Sequence, residues 1–188
     1  CYRGLADFAD ALARMYSGLT PAAGPQAWTA VTKPQRSAQR AALEAARGRI
    51  REVQDTRPSR RARANQLTYL LDSAEDSFIA LVACADLLES HAPHWLGRSA
   101  GAHLSHALHR YASVCNAIAS TSDVSDPKQA QCLRERLAHY GAGLHDLRGG
   151  AMAYAPDLAT MVPVLDRLLQ TAQAVTQALF DQVDAPAA

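Results

Sequence analysis

Histidine, cysteine, carboxylate and arginine side chains are the groups in this sequence that could do chemistry, and their spacing decides which chemistry is open to them. There are seven histidines. His91 and His94 lie three apart, as do His103, His106 and His109. Residues three apart on a helix share a face and can chelate, but a zinc site takes three or four ligands converging from defined elements. His91 and His94 straddle Pro93, which places them at a helix end, where cationic side chains suit the dipole. The other three fan around a helix, and no HExxH, ExxH or HxH pattern accompanies them. The letters GRSAG at Gly97 to Gly101 fit G-x-S-x-G, yet a nucleophile elbow needs a strand before the turn, and none precedes it. Asp72, Glu75, Asp76, Asp86 and Glu89 read as the polar face of a helix that pairs with arginines. Cys1, Cys84, Cys115 and Cys132 show no CxxC spacing. Cys84 and Cys115 fall inside apolar helical stripes, so buried free thiols are expected. The expectation is no catalytic residue, no metal, no cofactor and no enzymatic activity.

Arginine is the remaining candidate. All but two of the 19 basic residues, Lys33 and Lys128, are arginine. Lys33, Arg36, Arg40, Arg47, Arg49, Arg51, Arg57, Arg60, Arg61 and Arg63 crowd one stretch, against Glu44, Glu52 and Asp55. Three readings stay open. The stretch is a solvated surface, or it faces an anionic leaflet where each arginine contributes about 1 kcal/mol, or it gathers organic anions through bidentate guanidinium contacts. Arg57, Arg60, Arg61 and Arg63 are the candidate anion-binding or membrane-facing residues. Net charge is only +1, and no recognition-helix motif is present, so nucleic acid is not an expected partner.

The elements that must position these groups are helical. Alanine-rich composition and a 48% hydrophobic fraction favour closely packed helices. In the first helix, about Arg3 to Leu19, Leu5, Phe8, Ala9, Leu12, Met15 and Tyr16 recur at helical spacing. Gly18, Pro21, Gly24 and Pro25 break it. A second helix is expected from Pro34 to before Pro58, with a thin apolar face of Ala38, Ala41, Ala42, Ala45, Ile50 and Val53. The third, from a Ser59 cap to about Ser90, carries Leu67, Leu70, Leu71, Ala74, Phe78, Leu81, Val82, Ala85 and Leu88. After a turn at Gly97 to Gly101, a fourth helix spans about Ala102 to Ala119, with Leu104, Leu108, Tyr111, Ala112, Cys115 and Ile118 inward. Pro127 opens a fifth that Gly141 and Gly143 weaken and that ends near Leu147. Gly149 and Gly150 separate it from a sixth, about Asp157 to Val183, with Pro163 as a source of a kink. No apolar run reaches the roughly 18 residues of a membrane span. The expected fold is an all-α antiparallel bundle of about six helices with one long central helix, in a single domain over residues 1–188. The chain starts at Cys1, almost inside a helix, which reads as a piece of a longer membrane protein. A mature lipoprotein also starts at cysteine, but it continues into a polar tether.

The segment Arg60 to Glu89, RRARANQLTYLLDSAEDSFIALVACADLLE, is similar to the soluble domain of the fusaric acid resistance and aromatic acid exporter family of bacterial inner-membrane proteins. The elements alike are the Arg-rich start, Asn65, Leu67 and the Tyr69-Leu70-Leu71 run, Ala74-Glu75-Asp76 followed by Phe78, and the ending Asp86-Leu87-Leu88-Glu89. The opening CYRGLADFADALARMY also resembles that family's helix just after a transmembrane set. The resemblance covers about a quarter of the chain and carries no catalytic signature. It implies the soluble domain of an efflux transporter for aromatic carboxylic acids or related toxic compounds, on the cytoplasmic face of the bacterial inner membrane. The implied partners are the parent's transmembrane helices, further copies in a homo-oligomer and a periplasmic adaptor. The alternative is a ligand-binding sensory bundle or an oligomerisation scaffold. Spans of about 20 apolar residues flanking the chain would favour the transporter; a downstream kinase or methyl-accepting segment would favour the sensor.

Overall fold

A computed structural model describes residues 1–17, 25–56, 61–95, 99–121, 126–154 and 159–180, without the side chains of 25–26, 56, 61–63, 91–95, 99–100 and 150–154. Among the described residues six helices follow one another: α1 (Tyr2–Tyr16), α2 (Pro25–Thr56), α3 (Arg61–Trp95), α4 (Ser99–Ser120), α5 (Pro127–Tyr154) and α6 (Val162–Phe180). No strand occurs among the described residues. Their direction alternates along the chain, and cross-helix contacts give the register. Tyr2 meets Leu70 and Tyr16 meets Cys84, so α1 and α3 run parallel. Arg36 reaches Asp86 while Arg47 reaches Glu75, so α2 runs back along α3. α3 is the longest helix, as its sustained apolar spacing predicts.

The shortest of these helices is the most enclosed. α1 buries nine of its 15 residues, because α4, α2 and α3 all pack on it. Ala6, Ala9 and Ala13 are fully buried there; small side chains let α1 and α4 approach closely. α5 bridges α4 to α6, and α6 packs back on α3, which closes the bundle. Phe8 and Phe78 rings lie 6.3 Å apart and tilted, and Tyr111 and Tyr140 rings 5.6 Å apart, both in the favourable range for aromatic pairs. Three buried or half-buried tyrosines tie helices together through their hydroxyls: Tyr2 donates to the Leu70 carbonyl at 3.1 Å, Tyr16 to Cys84 at 2.8 Å and Tyr140 to Leu165 at 2.9 Å. Each satisfies a polar group that would be costly to bury alone.

Several expected boundaries move. α2 starts at Pro25, and Pro34 lies inside it. Pro25, like Pro34, suits a first helical turn, but the apolar spacing of Trp28 and Val31 with Thr32 continues the helix upstream. Trp28, Thr32, Gln39 and Leu43 are its buried residues among those described, while Ala38, Ala41 and Ala45 are exposed. The inward face is thus rotated from the expected alanine stripe, because the larger side chains, not the alanines, find a place against α1 and α3. α3 runs past Pro93 to Trp95; at a helix end the missing N–H costs only one bond. Gly101 is helical rather than part of a turn, and α5 runs through Gly149 to Tyr154. Buried Leu144 and Leu147 hold that end of α5 against the cost of its glycines, about 1 kcal/mol each. α6 starts at Val162, so Pro163 sits in its first turn, where it kinks nothing. Ser59 and Leu19, and the expected ends of the sixth helix at Asp157 and Val183, lie outside the described residues. In the core, Ala74, Phe78, Leu81 and Leu88 are buried along with Leu12, Leu108, Leu165 and Leu168, while Leu70 is only half-buried.

Candidate functional site

The sequence-derived candidates Arg57 and Arg60 lie outside the described residues, and Arg61 and Arg63 open α3 with side chains outside the description. The rest of the basic stretch divides. Arg36 pairs with Asp86 at 2.7 Å, and Arg47 bridges Glu44 at 2.5 Å and Glu75. These arginines fasten α2 to α3 rather than face a ligand. Asp76 is met by Arg167 of α6 at 3.1 Å. Exposed pairs of this kind contribute about 0–1 kcal/mol each. Arg49 differs: it has no ion pair among the described residues.

Arg49 borders a cleft of about 370 Å³ where the start of α1 meets α2, α3 and the ends of α4 and α6. Its walls are apolar: Tyr2, Ile50, Leu67, Leu70, Ile118 and Leu179. Arg49 is the one charged side chain among the described lining residues. Leu67, expected in the inward stripe, is 36% exposed at this mouth. The register explains it. Leu70 is level with Tyr2, so Leu67, one turn earlier on α3, stands beyond the first residue of α1 and borders the opening instead of packing. The Tyr2 hydroxyl is held on the Leu70 carbonyl, and burial raises its pKa strongly, with smaller contributions from Cys115 and Tyr69. It is therefore a neutral wall group. The cleft has the volume and lining of a small-molecule site, apolar with few polar groups, and a guanidinium free to form a bidentate contact with a carboxylate.

Other clefts flank α5, among them a larger and a smaller one than that at Arg49. One, about 640 Å³, lies between α5 and α6, where Gly141 leaves the wall low beside Leu137, Thr176 and Phe180. The second, about 280 Å³, lies between α4 and α5 at Arg110, Ser113, Arg136, His139 and Asp146. Neither arginine stands out in the sequence. Gly143 was the one signal there: a Cβ on it would stand 2.3 Å from the Arg110 guanidinium, so this glycine makes room for a side chain from the neighbouring helix.

The histidines do not converge. His103, His106 and His109 all lie on exposed positions of α4, and His109 Nδ1 meets Asp10 of α1 at 2.7 Å. The side chains of His91 and His94 lie outside the description. Among the described residues no three histidine, cysteine, aspartate or glutamate side chains gather in a way that could hold a metal ion. Ser99 of the GRSAG segment opens α4 with no strand before it among the described residues. Cys84 and Cys115 are free and buried, and Cys1 and Cys132 are free and exposed. Burial pushes the Cys84 and Cys115 thiols up from 9.0 to about 12, against smaller hydrogen-bond effects that lower them. They remain protonated and unreactive at neutral pH. Tyr16, Tyr111 and Tyr140 are likewise raised, chiefly by burial. Among the described residues no helix is long and apolar enough to cross a membrane. The chain matches no family model, no curated protein and no solved structure.

Proposed function

We propose that this chain is a ligand-binding helical domain, and that it takes a small apolar monoanion, an aromatic carboxylate above all, in the cleft beside Arg49. The observation that carries this reading is the joining of aliphatic walls to a single guanidinium that has no ion pair among the described residues. Apolar walls favour the body of such a ligand by about 25 cal/mol per Å² buried. The guanidinium favours its head, and an uncharged analogue would lack that contact. The setting we propose is the soluble cytoplasmic domain of a bacterial inner-membrane exporter of aromatic acids, working with the parent's transmembrane helices, with further copies of itself and with a periplasmic adaptor. The residues of α3 from Asn65 to Glu89 support that setting through their resemblance to the family, and the all-helical bundle is in keeping with it. A sensory bundle would use the same cleft and hand the signal to a neighbouring segment.

The test is a calorimetric titration of the protein with 1-naphthoate and with its uncharged amide. Naphthoate is expected to bind one-to-one, and Arg49→Gln to weaken it about tenfold, the size of one lost charged hydrogen bond. The amide should be indifferent to that change. Equal binding of acid and amide, or no binding of either, ends the reading of this cleft. Export of naphthoate that is lost with Arg49→Gln in the full-length parent would then separate the transporter from the sensor.

A further inference from the structure

Among the described residues, an arginine that reaches across to another helix ends on a carboxylate in four cases: Arg36 on Asp86, Arg47 on Glu75, Arg148 on Asp166 and Arg167 on Asp76. The seam between α4 and α5 departs from this. Arg110 of α4 donates to the His139 carbonyl at 3.0 Å, and Arg136 of α5 donates to the Ser113 hydroxyl and, at 3.4 Å, to Cys132 Sγ. Both acceptors across the seam are neutral, and neither arginine has an ion pair among the described residues. Each guanidinium has five N–H donors, so most remain available. Both line the same cleft of about 280 Å³, together with Ser113, His139 and Asp146. Gly143 adds a separate indication. Its missing side chain is what lets the Arg110 guanidinium lie against α5, since a Cβ there would stand 2.3 Å from Nη1.

We propose that this cleft binds inorganic phosphate, held between the guanidinium groups of Arg110 and Arg136 with Ser113 as a further hydroxyl partner. Two fixed positive charges with free donors match a tetrahedral oxyanion. Asp146 on the same wall sets which oxyanion. An ionised carboxylate only accepts hydrogen bonds, so it repels a fully ionised ligand and welcomes one that still carries a proton. Inorganic phosphate keeps a proton at neutral pH. Sulfate has none, and a phosphate monoester, with its second pKa near 6, has mostly lost its own. The cleft is therefore selective for phosphate over both. It stands on α4 and α5, away from the cleft at Arg49, and does not depend on that reading.

The experiment is a titration followed by amide NMR shifts on the whole chain at neutral pH and constant ionic strength, with sodium phosphate, sodium sulfate and glycerol phosphate in separate arms. Phosphate should give saturating shifts at Arg110, Ser113, Arg136 and His139, and sulfate and the ester should bind more weakly. Arg110→Gln and Arg136→Gln should each weaken phosphate about tenfold. Asp146→Asn should keep binding but abolish the preference for phosphate over sulfate. Gly143→Ala is the control for folding: alanine favours the helix while displacing the Arg110 guanidinium, so binding should fall with stability retained. Several outcomes overturn the proposal. They are shifts that do not saturate, shifts equally strong at exposed Arg40 and Arg51 of α2, sulfate binding as tightly as phosphate, or phosphate binding that survives Gly143→Ala and both arginine variants.

Discussion

Gln39 is the residue whose position costs the fold most visibly. It is 1% exposed, and neither Nε2 nor Oε1 of its carboxamide finds a partner among the described residues. It is pressed against α1, where a Cβ on Gly4 would stand 2.3 Å from Oε1. Gly4 is therefore needed for close approach rather than for backbone freedom. A buried amide without partners costs about 1–3 kcal/mol. Gln39→Met keeps the length of the side chain and removes the polar atoms, so it should raise the unfolding free energy by ~1–2 kcal/mol, read from urea denaturation. An unchanged or lowered midpoint would mean that the carboxamide is satisfied in solution. The arginines divide at this same scale. Arg36 and Arg47 tie helices together, whereas Arg49 borders one cleft and Arg110 and Arg136 line another, although nothing about arginine itself distinguishes them. What separates them is whether a carboxylate pairs with them among the described residues.

Among the elements, α2 is the least conventional. It is a 32-residue helix that carries a proline at position 34. That proline cannot donate to the carbonyl of Ala30, and its ring crowds the preceding turn. Pro34 is exposed, so the helix gains nothing from it by packing. Pro34→Ala is expected to stabilise the protein by ~1–3 kcal/mol, seen as a higher thermal midpoint with helical circular dichroism preserved. No change, or a loss, would show that α2 is already two helices in solution. The continuation of α2 through Pro34 was not legible in the sequence, because proline is equally at home at a helix start. What keeps α2 running is tertiary: Trp28 and Thr32 are buried upstream of the proline and Gln39 and Leu43 downstream, so both halves are anchored by buried side chains. Gly143 and Gly149 in α5 repeat the lesson. Gly143 reads as a weak point and Gly149 as the end of the helix, yet α5 passes through both, and at Gly143 the missing side chain leaves room for Arg110 of α4.

For the whole molecule, the buried thiols and phenols set a pH limit. Cys84 and Cys115 have folded-state values near 12 against 9.0 when unhindered, and Tyr16, Tyr111 and Tyr140 are raised too. A raised value means that the neutral form is favoured by folding. The stability this represents is complete below the unfolded values and is lost as pH rises through them towards the folded ones. The thermal midpoint should thus be flat up to about pH 9 and fall steadily between about 9 and 12. Cys115→Ala should soften the start of that fall. A midpoint that stays level through this range would contradict the burial of these groups.

The helical class, the number of helices, the length of α3 and most of its inward residues were readable from the sequence, because an apolar stripe at helical spacing has one way to be buried. The inward residues of α1 and α4 were equally plain for the same reason. The buried face of α2 was not, since a helix of alanine, arginine and scattered larger residues offers more than one apolar face, and its neighbours choose among them. Neither candidate site could be read from spacing. The cleft at Arg49 gathers residues from five helices, and the cleft at Arg110 and Arg136 needs the register of α4 on α5. Helical spacing decides what faces inward within one element; which charges meet, and which stay unanswered, is decided only when separate helices settle against one another.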